Sequence, residues 1–223
     1  DGELTNPSAP LAADAAPYVN RRSLAISNGL VFFHGSEGAG ATQETTRVNV
    51  DSSGNEAMGG TLASMMPSVS GDGRWVAFTS HATNLVPNDT NNVFDIFVHD
   101  RVSGGTVRVS VSGSGAQADG ASAFSPYLSG DGRYVAFSST ATNLVAGDTN
   151  VCPEGWIGSC QDVFVHDRDA DGDGVFDETG AGERANVRVS VDSDGTQSNG
   201  PSFNDLASIS PDGRFVSFGS AAT

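Results

Sequence analysis

Residues 167–178, DRDADGDGVFDE, place Asp169, Asp171 and Asp173 at alternate positions, followed by Gly174 and then by Asp177 and Glu178. Three carboxylates at i, i+2 and i+4 converge on one hard cation when the chain turns around it. Gly174 permits the sharp turn, the Val175 carbonyl offers a further oxygen, and Asp177 and Glu178 follow within reach. The set holds oxygen ligands only, and Ca2+ takes about six to eight oxygens in a flexible geometry, so Ca2+ is the expected cofactor. The alternative is an acidic, solvated loop without an ion, in which these carboxylates repel one another.

A second oxygen set occurs twice. NDTNNVFD (88–95) carries Asp89, Asn91 and Asp95, and GDTN (147–150) followed by Asp162 carries Asp148, Asn150 and Asp162. Each set either gathers around a calcium ion or caps the local backbone as ordinary Asx turns. The two cysteines, Cys152 and Cys160, flank PEGWIGS with no third Cys or nearby His to complete a zinc set. A local disulfide is the expected state, with two free thiols as the alternative. A disulfide implies an oxidising compartment, secreted or periplasmic.

Other chemistries are absent from the sequence. All 11 basic residues are Arg, so Schiff-base, Ser-Lys and P-loop lysine chemistry are excluded. No GxSxG, HExxH or Walker pattern occurs. The histidines are His34, His81, His99 and His166, and the last two sit at matching places in a repeat. A formal net charge of −16 disfavours nucleic acid, whose phosphates call for clustered Lys and Arg. No stretch approaches the ~18 apolar residues of a transmembrane segment.

The elements that position these residues are repeated. SVSGDGRWVAFTSHATNLVPNDTN (68–91) recurs as YLSGDGRYVAFSSTATNLVAGDTN (127–150); ASISPDGRFVSFGSAAT (207–223) is a shorter copy and LAISNGLVFFHGS (24–36) a fainter one. Asn28-Gly29, Asp72-Gly73, Asp131-Gly132 and Asp212-Gly213 are expected to form two-residue hairpin turns with both central residues at positive φ. DIFVHDR (95–101) matches DVFVHDR (162–168), and TVRVSV (106–111) matches NVRVSV (186–191), with TRVNV (46–50) an earlier relative. These alternate with period two, so each unit is about four short antiparallel strands and the fold class is all-β. The inserts at 151–161 and 168–185 interrupt the later unit. Residues 1–22, rich in Pro and Ala, read as a tail or linker.

Matching positions suggest structural roles. Trp75, Tyr134 and Phe215 are expected in core or inter-repeat packing. Arg74, Arg133 and Arg214 should pair with carboxylates or cover a strand edge. His99-Asp100 and His166-Asp167 should form a shared hydrogen-bond feature. Trp156, on the cysteine insert, is placed to touch a ligand.

ISPDGRFVSF, LSGDGRYVAF, DIFVHD and DVFVHD together resemble the PD40, or TolB-like, family of WD40-like β-propeller repeats, over roughly residues 23–223. The resemblance implies four-stranded blades, of which about three and a half are visible. It leaves the activity open, because the family includes binding scaffolds as well as propellers attached to peptidases and lyases. Since a propeller needs about four blades or more, further blades or a second chain are expected to complete the ring, the alternative being an N-terminal strand that completes the last blade. The DxDxDG run is similar to the calcium loops of EF-hand-like and thrombospondin-type repeats, with Asp177 at the ninth EF-hand position. It departs at the twelfth, where Gly180 stands in place of a bidentate Glu. The expected function is a calcium-binding propeller acting as a binding or structural module for a protein, peptide or carbohydrate ligand. The alternative is the propeller portion of a hydrolase or lyase whose catalytic residues lie outside this chain.

Overall fold

The computed structural model describes residues 25–27, 30–35, 44–59, 64–149 and 160–223. Strands β1 (Ala25–Ser27), β2 (Leu30–Gly35) and β3 (Glu44–Arg47) form a three-stranded sheet. Strands β4 (Met65–Val69), β5 (Trp75–Ser80), β6 (Asp95–Asp100) and β7 (Thr106–Arg108) form a four-stranded antiparallel meander. The repeat builds the same meander again from β8 (Ser122–Leu128), β9 (Tyr134–Ser139), β10 (Asp162–Asp167) and β11 (Ala185–Arg188). The shorter copy gives a hairpin of β12 (Ser202–Ile209) and β13 (Val216–Ser220). The proposed tail and the Asn28-Gly29 turn lie outside the described residues.

Period-two alternation would leave one face of each strand to solvent, but the middle strands are buried on both faces. Every residue of β6 is buried, and β5 is buried after Trp75. The reason is lateral stacking. Ile96 and Val98 point to one side, into a core with Val109 of their own repeat and Leu128, Val135, Phe137 and Phe164 of the next. Phe97 points to the other, into a core with Val48, Val76, Phe78 and Leu85. Each fully buried Phe or Ile contributes roughly 1.5–3 kcal/mol, so the sheets are held mainly by one another. First strands meet first strands, β4 against β8 and β8 against β12.

The hairpin turns differ from the two-residue form the Asp-Gly dipeptides suggested. Ser70 N–H donates to the Trp75 carbonyl and Gly73 N–H to the Ser70 carbonyl, so four residues lie inside the loop. Gly73 alone of the pair has positive φ, at 76°. Asp72 instead caps the turn: its Oδ1 accepts from the Ser70 hydroxyl at 2.6 Å and the Arg74 N–H at 2.9 Å. Asp131 does the same with Ser129 and Arg133, and Asp212 with Ser210 and Arg214. The serine before each Asp decides the outcome, because its hydroxyl both donates to Asp and accepts the N–H five residues on, at 2.9 Å in each copy.

Consecutive turns are hydrogen-bonded. Gly71 N–H donates to the Gly130 carbonyl at 2.7 Å, and Gly130 N–H to the Pro211 carbonyl at 2.8 Å. A Cβ placed on Gly71 would lie 3.0 Å from the Gly130 oxygen, and one on Gly130 would lie 3.0 Å from the Pro211 oxygen.

Candidate functional site

The acidic insert leaves the end of β10 and returns to β11. Ala170 N–H donates to the Glu183 carbonyl at 2.9 Å, which closes its base. Within it, Gly172 and Gly174 take φ of 77° and 89° and reverse the chain. Gly174 N–H donates to Asp169 Oδ1 at 3.3 Å, and Val175 N–H to Asp173 Oδ1 at 2.8 Å. These bends bring carboxylate oxygens of Asp169, Asp171 and Asp173 within 4.8 Å of one another, Asp169 buried and the other two exposed. Oxygens bound to one calcium at about 2.3–2.6 Å stand at most about 5 Å apart, so the spacing suits that ion.

Glu183, a residue the sequence reading did not select, stands beside Asp171 without entering this three-carboxylate group. Its carboxyl is held above the usual range, first by the charge of Asp171, then by burial, by Glu178, by a hydrogen bond with Asp171 and by Asp173. A Cβ on Gly180 would lie 2.7 Å from Glu183 Cγ, so the glycine makes room for that side chain. Glu183 is the acidic residue that ends the insert, which was its only sequence signal. On the other side, Arg133 Nη1 stands 3.6 Å from Asp169 Oδ2 and offsets part of the charge.

Asp177 faces elsewhere. It pairs with Arg168, whose Nε donates to Oδ1 at 2.9 Å and whose Nη2 is hydrogen-bonded to Oδ2. Arg168 is fully buried. Its Nη1 donates to the Gly132 carbonyl at 2.7 Å, and its guanidinium lies 4.1 Å from the Trp75 ring centre and 5.0 Å from that of Phe176. Asp177 has φ of 66°, a left-handed conformation unusual outside Gly, fixed here by the ion pair and by its N–H donating to the Arg168 carbonyl at 2.8 Å.

In the repeated oxygen sets, the structure places an arginine between the carboxylates. Arg108 Nη1 is 3.2 Å from Asp89 Oδ1 and 3.5 Å from Asp95 Oδ2. Arg188 Nη1 is 2.9 Å from Asp148 Oδ1 and 3.5 Å from Asp162 Oδ2. The Ser110 hydroxyl donates to Asp95 Oδ1, and that of Ser190 to Asp162 Oδ1. Asn91 turns its amide nitrogen, not its oxygen, to Asp95 at 2.9 Å. Burial pushes Asp89 and Asp95 above the usual carboxylate range, and the Arg108 charge opposes this. Asn150, Cys152 and Trp156 lie outside the described residues; Cys160 is not a free thiol.

The repeated arginines and histidines are structural. Arg74 clamps Asp100 with Nε and Nη2 at 2.9 and 2.8 Å, and Arg133 clamps Asp167 at 2.7 and 2.8 Å. Arg214 lies instead over the Phe215 ring. His99 Nδ1 contacts Thr106 Oγ1 at 2.9 Å, and that hydroxyl donates to the Val50 carbonyl. His166 Nδ1 contacts Asn186 Oδ1 at 2.8 Å, while Asn186 Nδ2 donates to the carbonyls of Val111 and Leu144. Both hydroxyl and amide oxygens are therefore acceptors, and each histidine carries its proton on Nδ1. Both chains of bonds tie one repeat to the one before it. Asn84 and Asn143 add further ties unnoticed in the sequence: each amide donates to, and accepts from, the preceding repeat's loop. Their signal was their place in the repeated ATNLV.

No protein-family model matches the chain, and no curated protein does. Among solved structures, putative TolB from Agrobacterium tumefaciens is similar at 18% identity and a TM-score of 0.35, over 88% of this chain and 65% of that one. TolB from Acinetobacter baumannii is similar at 13% identity and a TM-score of 0.27, over 84% of this chain and 42% of that one. The chain thus spans less than two thirds of the length of either.

Proposed function

We propose that the chain is part of a β-propeller that serves as a binding or structural module, with calcium held in the insert by Asp169, Asp171, Asp173 and Glu183. Glu178 and the Val175 carbonyl are further candidates to complete the shell. The observation that carries the reading is the convergence of the carboxylates of Asp169, Asp171 and Asp173 within calcium-bridging distance. An ion there removes the repulsion among these carboxylates and holds the insert in its turned conformation. Laterally stacked four-stranded meanders, joined turn to turn, support the propeller reading. Phe215, 66% exposed where Trp75 and Tyr134 are covered, is the surface on which a further blade or a second chain would pack. A Cys152–Cys160 disulfide and a secreted or periplasmic location go with this reading. Among the described residues, no helix is long and apolar enough to cross a membrane.

The test is thermal unfolding in calcium and in excess EDTA, with elemental analysis of the purified protein. At a hundredfold excess over Kd, selective binding stabilises by roughly 2.7 kcal/mol. That corresponds to a rise in Tm on the order of 5–10 °C for a domain of this size. The double variant Asp171→Ala with Asp173→Ala should lose the rise and keep its sheets. A parent protein with no bound calcium and no shift would refute the calcium assignment.

A further inference from the structure

We infer that the groove between the β4–β7 sheet and the acidic insert is a binding site for a basic peptide segment bearing Lys or Arg. The cavity measures about 570 Å³, within the range of sites that enclose a ligand side chain or small molecule. One wall is the outer end of the β4–β7 sheet, with Val98, Val107 and the turn at Asp72. The other is the insert, with Val175 and Phe176, beside the Asp131 turn of the following repeat. Val175 is 51% exposed and stands at the mouth.

The charges decide the ligand. Four carboxylates line the groove, from Asp72, Asp100, Asp131 and Asp177. Asp100 is already clamped by Arg74, and Asp177 by Arg168. Asp72 and Asp131 are exposed, and each uses only Oδ1, for its serine hydroxyl and its turn N–H. Their second oxygens accept no hydrogen bond among the described residues and add negative charge from two successive turns, which Arg74, lining the same groove, offsets only beside Asp72. Between these turns Val107 and Val175 offer apolar surface for the methylene stem of a Lys or Arg whose cationic tip reaches a carboxylate. A chain with net charge −16 and no Lys would also draw a basic partner from a distance. A sugar fits less well: the Trp75 ring already has the guanidiniums of Arg74 and Arg168 over it, at 4.4 and 4.1 Å, and Phe176 beside it at 5.4 Å.

The inference rests on the reading of the chain as a binding module but not on the calcium loop. The probe is a fluorescein-labelled, N-acetylated Ala-Lys-Ala-Arg-Ala peptide, titrated by anisotropy in the whole chain at low and physiological salt. Its acidic counterpart, Ala-Glu-Ala-Glu-Ala, is the control. The basic peptide should bind, more weakly as salt rises, and the acidic one should not. Asp72→Asn with Asp131→Asn keeps both Oδ1 acceptors, and so the turns, and should weaken binding about tenfold. Val175→Arg, which sets a cation in the mouth, should weaken it similarly. Asp192→Asn with Asp194→Asn changes the net charge equally at a distant turn and should leave binding intact. No binding of the basic peptide, or equal loss in the two double variants, overturns the site. Calcium uptake without peptide binding overturns the groove alone, and peptide binding without calcium uptake overturns the calcium loop alone.

Discussion

Trp75 of one repeat lies against Gly132 of the next so closely that a Cβ there would fall 2.7 Å from the indole Cγ. Tyr134 meets Gly213 in the same way, with Cε2 at 2.7 Å. The aromatic of each turn and the glycine of the following turn thus form one repeated joint between sheets.

Gly132→Ala should therefore destabilise the fold by about 2–4 kcal/mol, combining positive-φ strain with a clash that the packed ring cannot relieve. Gly147 has a similar φ of 74° but nothing within 4 Å of a new Cβ. Gly147→Ala should lose only about 1 kcal/mol. Denaturant unfolding of the two variants separates strain from packing, and equal losses would refute the joint.

Asp177→Ala removes the partner of the fully buried Arg168 guanidinium. Breaking such a pair from one side typically costs about 3–5 kcal/mol. Asp171→Ala, at an exposed carboxylate, should leave stability in EDTA within about 0.5 kcal/mol of the parent. Chemical denaturation in EDTA reads both, and a mild effect of Asp177→Ala would mean that Trp75 and the Gly132 carbonyl suffice to hold the arginine.

Glu183→Gln should lower calcium affinity while preserving the insert's base, because Ala170 bonds to the Glu183 backbone and not to its side chain. A calcium titration by calorimetry should show weaker binding with unchanged stoichiometry. Unchanged affinity would leave the site to the three aspartates.

Acid should weaken the protein in two stages. Burial lowers the pKa of His99 and of His166 below the ordinary value, so each adds stability above about pH 6.5 that is lost as pH falls toward the folded value. The slope is at most about 1.4 kcal/mol per pH unit for each histidine. For Asp100, burial opposes ionisation, but the Arg74 clamp, the Val102 N–H and the Ser103 hydroxyl outweigh it and hold the pKa below the carboxylate range. Its contribution is present above about pH 4 and lost below it. His166→Asn keeps a donor toward Asn186 and cannot titrate, so it should flatten the slope between pH 7 and 5. An unchanged slope would show that His166 is not its source.

The sequence by itself determined what repetition and local spacing carry: four-strand units, the matched aromatic, arginine and histidine positions, and an insert whose alternate aspartates converge. These depend on neighbours in the chain, which side-chain alternation and turn residues specify directly. Tertiary structure alone decided which charge meets which. Arg108 stands opposite Phe97 in the register, one pleat from Asp95, and so enters a carboxylate set that looked complete in oxygen ligands. Asp177 was drawn from the insert to Arg168, because a guanidinium buried by the neighbouring repeat needs a counter-charge more than the exposed loop needs a ligand. Glu183 came to lie beside Asp171 because the insert closes on itself at Ala170. Ion pairs act through space over separations the sequence does not record, so only stacking the sheets brought these partners together.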